Sequence, residues 1–349
     1  MRLLGLFVGL ALLLAAAVGA FDRVVDPAPQ FYDGTPLRVA MRMHPQCLVS
    51  DELVRGVVYV QFKQDVFVVR HPTTVVLGSS RVLKIRSNTN ETTFANLGLP
   101  ETTPRVVLRL FRFMARKRPH ARLTVYLGTE FFWFNPGAPD VLVNPPFHPT
   151  TFQRVGYLLS RATLRSALHL ARASPHAAFH RWRIEHVGDT CVIDRESPNR
   201  EWYPDGSRLY SFELFPGGFR PPRNAFTRNL ATLRDGFYGN WHGFARDRFR
   251  QLEQALDFAR AHGWKVVGFA PPDSSPFVHL FSTAPSTAGP WQTYFRIVPA
   301  AFRRRGFPFV DLRDVRDVPC REDDFVDAGY HVNAACAAKI RARLDAAAG

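Results

Sequence analysis

The sequence is short of the residues that would point to a metal centre. Its 349 residues include only four cysteines: Cys47, Cys191, Cys320 and Cys336. Their spacing fits none of the paired patterns of zinc sites, so neither a metal nor another cofactor is expected. The chain also has no internal repeat and no low-complexity tract, and its hydrophobic content of 46% is that of a globular protein. Together these features exclude fibrous and disordered architectures.

Long apolar runs are equally scarce, and only the amino terminus contains one. Arg2 is followed by an apolar stretch over residues 3–20, which ends in the small residues typical of a signal-peptidase site. Eighteen residues lie at the lower limit for spanning a bilayer, so a cleaved signal peptide and an uncleaved membrane anchor both remain open. Either predicts export to the periplasm or the extracellular space. We expect residues 21–349 to form a single α/β domain.

Acidic residues are in the minority, with 30 Asp and Glu against 45 Lys and Arg, and the formal net charge is +15. In an exported protein such a charge favours anionic cell-envelope polysaccharide or anionic lipid headgroups. A nucleic-acid partner is not expected, because it conflicts with the export signal and no recognisable binding module is present. A solvated arginine-rich surface without a partner explains the charge equally well.

The cysteines that are present form an even set, compatible with two disulfides in an oxidising compartment and three connectivities. Cys320 and Cys336 bracket residues 327–331. A bridge between them would close a short loop and hold it in place, and two free buried thiols are the alternative.

Strands and helices alternate on both sides of the middle of the chain. The apolar pattern predicts a helix over 106–118 and strands over 123–127, 265–270 and 307–312. Helical connections of this length imply right-handed crossovers and a mostly parallel sheet. The region at about 134–241 breaks the rhythm and predicts an insertion or cap. Its aromatic residues and arginines suit contact with sugar rings, and a packed cap is the alternative.

One strand runs into a turn that presents a serine. An aliphatic run of the kind found in buried parallel strands leads into Gly78-Ser79-Ser80-Arg81. Reactive groups collect beyond the carboxyl ends of such strands, so Ser80 is a candidate nucleophile. A plain strand-to-turn junction is the alternative. Arg81 is a further candidate binding residue.

A candidate base lies at the other end of the chain. His331 precedes a predicted terminal helix over 332–344, and Asp327 lies in the same loop. A serine nucleophile needs a base, and the base needs a third group to orient it. His331 and Asp327 supply both, although a lone histidine near a helix start is commonly a surface or capping residue.

Four short blocks follow one another along the chain. They are Gly78-Ser79-Ser80, Asn96-Leu97-Gly98, Leu127-Gly128-Thr129-Glu130 and residues 327–331. In this order they resemble the blocks of the SGNH (GDSL-like) hydrolase superfamily. The Gly-Ser-Ser-Arg form looks closest to a branch that includes exported proteins of alginate-type polysaccharide O-acetylation and teichoic-acid D-alanylation. The resemblance covers roughly residues 50–135 and 240–345.

The resemblance implies a three-layer α/β/α sandwich in which Ser80 is the nucleophile. It also implies that the Gly98 amide binds the oxyanion and that Asp327 pairs with His331. Two departures stand out. Glu130 occupies the place of the family's amide-bearing asparagine, which leaves Asn135 as the nearest substitute donor. Three residues instead of two separate Asp327 from His331, so Asp323 and Asp324 are alternative partners for the histidine.

Two classes of function follow. The first is an exported serine esterase or O-acyltransferase that acts on acyl esters of cell-envelope polysaccharide through an acyl-enzyme. The second is a non-catalytic accessory protein of the same fold, which binds envelope glycan or a membrane-bound acyltransferase.

Overall fold

The computed structural model describes most of the chain. The described residues are 2–25, 35–42, 49–50, 58–88, 91–138, 151–173, 175–179, 200–210, 238, 241–326 and 330–349. Cys47, Cys191 and Asp327, for which the sequence predicts roles, lie outside these ranges. The chain divides into two compact units, the first made of Met1–Asp65 with Pro145–Pro204 and the second of Val66–Asn144 with Asp205–Gly349.

The described helices, in chain order, are α1 (Arg2–Val25), α2 (Thr35–Arg42), α3 (Val58–Arg70), α4 (Pro104–Lys117), α5 (Thr151–Leu158), α6 (Arg161–Ala173), α7 (Pro175–Ala178), α8 (Arg246–Ala261), α9 (Ser275–Thr283), α10 (Ala288–Arg303) and α11 (Ala334–Ala348). The described strands are β1 (Val49–Ser50), β2 (Thr74–Leu77), β3 (Phe94–Asn96), β4 (Thr124–Gly128), β5 (Arg200–Trp202), β6 (Arg208–Tyr210), β7 (Lys265–Ala270) and β8 (Phe309–Asp311).

The second unit is built on a five-stranded sheet with the order β3-β2-β4-β7-β8. Every neighbouring pair is parallel, with Val76 opposite Tyr126 and Tyr126 opposite Val267. The predicted α/β class and parallel sheet are thereby confirmed. The strand order reverses between β2 and β4, because the strand that follows β2 in sequence pairs on its other side. In open sheets ligands bind at such a switch point, beyond the carboxyl ends of the strands.

Helices cover both faces of this sheet. On one face, Tyr126 and Val267 belong to the same buried apolar cluster as Ile340 of α11. On the other face, Gly268 makes room for Phe302 of α10, since a Cβ at this glycine would lie 2.4 Å from the phenyl ring. Neighbouring residues of a strand point to opposite faces, so the two helices lie on opposite sides. The arrangement is consistent with a three-layer α/β/α fold.

The predicted elements agree with the structure best where the apolar pattern is longest. The structure places β7 at the predicted residues 265–270, and five of its six residues are buried. Helix α4 begins two residues before the predicted start, with a proline in its first turn, where a missing N–H costs nothing. Strand β8 is only three residues long, at Phe309–Asp311, because the chain pairs with β7 over just that length.

The first unit contains a longer apolar helix than predicted. Helix α1 has 24 residues, and the stretch Gly5–Val25 has a mean hydropathy of 2.1. It is the one described helix long and apolar enough to cross a membrane. Its last turn packs with α6 and α7, where Val25, Ala167 and Ala178 form a small buried cluster. Helices α5 to α7 lie within the predicted insertion.

Candidate active site

A tight turn after β2 carries Ser80. Gly78 has a φ of 148°, a conformation that residues with a Cβ rarely adopt, and it lets the chain turn directly after the strand. Ser79 then caps a short 3₁₀ helix over Ser80–Val82 by accepting a hydrogen bond from the Arg81 amide. Ser80 is half-buried at the start of this helix. Because the helix directly follows the carboxyl end of β2, the Ser80 hydroxyl lies at the switch point of the sheet.

Two glycines of the motif blocks make room for the side chain that anchors this turn. Val82 is fully buried. A Cβ at Gly98 would lie 2.6 Å from one methyl carbon of Val82, and a Cβ at Gly128 would lie 2.5 Å from the other. The glycines after β3 and at the end of β4 therefore allow Val82 to sit between the strands. This packing fixes the position of the turn that carries Ser80.

The structure brings Ser80 and His331 together although 250 residues separate them. Ser80 Oγ lies 2.7 Å from His331 Nε2, within hydrogen-bonding distance. The loop that holds His331 is tied back on itself, because the Val326 amide donates to the His331 carbonyl at 2.8 Å. Asn333 caps α11 through its side chain. The histidine is thus held between a backbone bridge and a helix start.

A disulfide closes the same loop. Cys320 and Cys336 are joined, with their Cα atoms 5.4 Å apart, which confirms the predicted bridge. Cys336 lies in the first turn of α11 and is fully buried in the apolar cluster beneath the sheet. The bridge therefore connects the start of the His331 loop to the core.

We expect this disulfide to support activity as well as stability. The variant Cys320→Ala/Cys336→Ala should lose any activity that depends on the Ser80–His331 pair under conditions in which it stays folded, because an open loop no longer holds His331 at Ser80. A crosslink over 16 residues contributes about 3 kcal/mol in the chain-entropy picture. Steady-state kinetics and circular dichroism at one temperature measure the two effects separately. Full activity in a destabilised variant would show that the bridge does not position the base.

Glu130 lies beneath the serine turn and faces a structural arginine. Its side chain is fully buried. One carboxylate oxygen accepts a hydrogen bond from Ser79 Oγ at 2.5 Å, and the other lies 2.9 Å from Nη1 of Arg81. The charge of Glu130 is therefore taken up by Arg81 and is not turned toward a developing oxyanion. Glu130 instead holds the residues on either side of Ser80.

Arg81 is enclosed by protein groups on every side that the structure describes. Its guanidinium contacts Glu130 and, through Nη2, Asp273 at 2.9 Å. Nη2 also donates to the carbonyl oxygens of Pro271 and Pro272. The Tyr330 ring lies over the guanidinium, 4.8 Å away. Arg81 thus links the ends of β2, β4 and β7, which gives it a structural role, and its role in binding stays a prediction.

Sequence reasoning did not identify Asp273. This carboxyl group is 4% exposed and lies three residues past β7. Burial raises its pKa to about 7, with Arg81 opposing the rise and Glu130 adding to it, because one guanidinium faces two carboxylates. Its position just beyond the carboxyl end of a parallel strand was the available signal.

Asp273 should make the protein less stable as the pH rises. The folded chain keeps this proton up to about pH 7, whereas the unfolded chain releases it near the ordinary pKa of 3.8. The folded state therefore binds more protons between these values, and the contribution to stability is lost as the pH rises through about 7. Asp273→Asn cannot ionise, so the fall in the free energy of unfolding from about pH 5 to about pH 8 should be smaller than in the wild type.

Urea titrations at both pH values measure this difference. Asp257→Asn is the matched control: its hydrogen bond to Arg305 lowers the pKa of Asp257, so this group is ionised in both states across the window. A slope that Asp273→Asn leaves unchanged would mean that Asp273 is already ionised in the folded protein.

Of the two oxyanion donors proposed from the sequence, the Gly98 amide has another partner, and the Asn135 side chain is engaged through its oxygen. The Gly98 amide donates to Asn96 Oδ1 at 2.9 Å, and Asn96 Nδ2 donates to the carbonyls of Val82 and Ile85. Asn135 Oδ1 accepts from the Gly137 amide and closes a local turn. The side chains of Asn96 and Asn135 thus stabilise backbone turns. The Ser80 amide, in contrast, donates to no other residue that the structure describes.

The two aspartates proposed as alternative partners of His331 lie in other surroundings. Asp324 accepts from Asn333 Nδ2 and from the Arg321 amide, so it caps a local 3₁₀ turn. Asp323 is exposed. The role that the resemblance gives to Asp327 falls outside the described residues.

Aromatic side chains surround this part of the second unit. Trp241 is buried and stacks on Phe131 with ring centroids 4.1 Å apart. Tyr238 contacts Tyr330, which is next to His331, and its hydroxyl donates to that of Tyr330 at 3.3 Å. Trp202, in the first unit, is also fully buried. The described tryptophans of the middle region therefore pack as core, and Trp182 lies outside the described residues.

Comparison with known proteins places the chain in no family. No protein-family model matches the sequence, and no curated protein matches it. Within the described ranges, histidine, cysteine and carboxylate side chains form no group of three or more that could hold a metal ion. Any assignment of function thus depends on the geometry of Ser80 and His331.

Proposed function

We propose that the protein is an exported serine esterase or O-acyltransferase acting on acyl esters of cell-envelope polysaccharide. The observation that carries the proposal is the 2.7 Å contact between Ser80 Oγ and His331 Nε2. Nucleophile and base within hydrogen-bonding reach are the signature of an activated serine. The half-buried hydroxyl is accessible at a switch point, where open α/β sheets bind their ligands.

The proposed reaction has two halves. Ser80 Oγ attacks the acyl carbonyl while His331 Nε2 accepts its proton, and the protonated histidine then donates that proton to the departing sugar oxygen. The acyl group remains on Ser80. A water molecule or a second sugar hydroxyl then attacks with His331 as base. The acyl–Ser80 Oγ bond breaks and His331 returns the proton to Oγ, so hydrolysis and transfer share the acyl-enzyme. The resemblance assigns Asp327 the task of orienting His331.

The Ser80 amide is proposed to stabilise the oxyanion of both tetrahedral intermediates. It opens the 3₁₀ helix, and the Oγ of the same residue forms the bond to the acyl carbon, so the amide lies close to the carbonyl oxygen. A single backbone donor is worth about 3 kcal/mol of transition-state stabilisation. Because the Gly98 amide donates to Asn96, the set of oxyanion donors is smaller than the family pattern implies.

That small donor set favours a second candidate. A protein with the same fold that has lost catalytic power could serve as an accessory that binds envelope glycan or a membrane-bound acyltransferase. Glu130 at the position of an amide donor is the observation in its favour.

Export is part of both proposals. Helix α1 fits a signal sequence or a membrane anchor, and the Cys320–Cys336 disulfide suggests an oxidising compartment. The positive charge of the chain suits an anionic polysaccharide in that compartment.

Labelling with a fluorophosphonate probe tests the two candidates against each other. The full-length protein should be labelled, and Ser80→Ala should not. Ser282→Ala is the control, because Ser282 is a partly exposed serine that hydrogen-bonds within α9. A wild type that takes up no probe and cleaves no aryl acetate would refute the esterase and favour the accessory protein.

A further inference from the structure

The first unit carries an apolar surface on α5, next to the apolar helix α1. Phe152, Val155 and Leu159 are exposed, and Phe152 is 86% exposed. They follow one another at intervals of three and four residues, so they line one side of the helix. Leu159 touches α1, since a Cβ at Gly19 would lie 3.7 Å from one of its methyl groups. The apolar side of α5 is therefore continuous with α1.

The neighbouring helix adds positive charge. Residues 151–179 contain four arginines and no aspartate or glutamate. On α6, Arg161, Arg165 and Arg172 are exposed at helical spacing, and no carboxylate of the described part of the chain pairs with them. The opposite side of α6 packs in the cluster of Ala167 with α1 and α7. An apolar strip beside unpaired arginines matches an anionic bilayer surface.

The length of α1 also favours a lipid bilayer as the partner of this surface. Residues 3–17 are largely exposed, whereas from Val18 onward the helix is mostly half-buried against the first unit, with Asp22 and Val25 buried. These fifteen residues span about 22 Å, which is less than the hydrocarbon thickness of about 30 Å. All of Gly5–Val25 spans about 31 Å, which matches the membrane. The match requires the covered end of α1, and α5 beside it, to lie at membrane depth.

We propose that α1 is a retained anchor and that α5 and α6 form an interfacial surface on the same bilayer. The apolar side of α5 enters the boundary between acyl chains and headgroups, and the arginines of α6 bind anionic phospholipid headgroups. A cleavage after Ala20 would remove most of the helix on which Leu159 packs. This inference is independent of any chemistry at Ser80.

Nitroxide accessibility in vesicles measures the depth of α5. The full-length protein carries a spin label on p-acetylphenylalanine in place of Phe152 or, as the control, of Ser166, which is exposed on α6 and turned about 100° around the helix from Arg165. In vesicles containing phosphatidylglycerol, the ratio of oxygen to nickel accessibility should be several-fold higher at position 152 than at position 166. In pure phosphatidylcholine the difference should shrink, and Arg161→Glu/Arg165→Glu/Arg172→Glu should remove the dependence on anionic lipid.

Four results would overturn the proposal or one of its parts. Equal water exposure at positions 152 and 166 would place α5 outside the membrane. A label at 152 shielded from both reagents would mean that a protein covers α5. A mature protein that begins after residue 20, shown by mass spectrometry of membrane fractions, would exclude the anchor. A depth that does not depend on phosphatidylglycerol would refute headgroup binding by the arginines.

Discussion

Ser80→Ala and His331→Ala should each lower kcat/KM for ester cleavage by about 10⁴- to 10⁶-fold. Without Ser80 Oγ no acyl-enzyme forms, and without His331 Nε2 the hydroxyl keeps its proton and remains a weak nucleophile. The two atoms lie 2.7 Å apart and act as one unit. The double variant should therefore be little slower than either single variant.

Hydrolysis of an aryl acetate measures these rates, and thermal unfolding followed by circular dichroism checks that the variants fold. Ser80 and His331 are partly exposed, so neither change should unfold the protein. His120→Ala, at an exposed turn, is the control for loss of a histidine. Effects of the two single changes that multiplied in the double variant would contradict a coupled nucleophile and base. Unchanged turnover in Ser80→Ala would eliminate the mechanism.

Arg81→Met should be the most destabilising change at the site, lowering the free energy of unfolding by about 3–5 kcal/mol. Arg81 compensates Glu130 and Asp273, and both carboxyl groups are buried. Removal of the guanidinium leaves buried negative charge without a partner, and water cannot reach it. The carbonyls of Pro271 and Pro272 also lose their donor.

Urea unfolding at about pH 8 gives the size of this effect, because Asp273 of the wild-type protein is ionised there and pairs with Arg81. Arg260→Met is the matched control: Arg260 pairs with Asp257 at 3.8 Å on the surface, where an ion pair contributes less than about 1 kcal/mol. Adding Glu130→Gln and Asp273→Asn to Arg81→Met should restore part of the stability, because no buried charge remains. A loss as small as that of the control would show that Arg81 is not the ion that holds these strand ends together.

Much of the fold follows from local pattern. The aliphatic run over residues 265–270 is long enough to be a buried strand in any context, and it forms β7. Strand β3 was missed, because three residues carry too little periodicity to identify a strand. Helices α5 to α7 were not predicted, because they lie in a region whose aromatic residues and prolines indicate irregular structure.

The candidate site also contains parts that local sequence predicts and parts that depend on the fold. The turn that presents Ser80 and the Cys320–Cys336 bridge depend on residues close in sequence, so their spacing alone predicted them. The partners of Glu130, Gly98 and Arg81 depend on which strand ends meet at the switch point. Parallel strands bring together residues that are 49 to 190 positions apart, as Arg81 is from Glu130 and Pro271.

The sequence by itself determined the α/β class, the apolar amino-terminal helix, the serine turn and the disulfide, because each rests on local periodicity or on a short spacing. Only the tertiary structure decided that Glu130 and Asp273 both pair with Arg81 and that the Gly98 amide donates to Asn96. A buried polar group takes whichever partner the packed chain brings within about 3 Å, and that choice is made when the strands assemble.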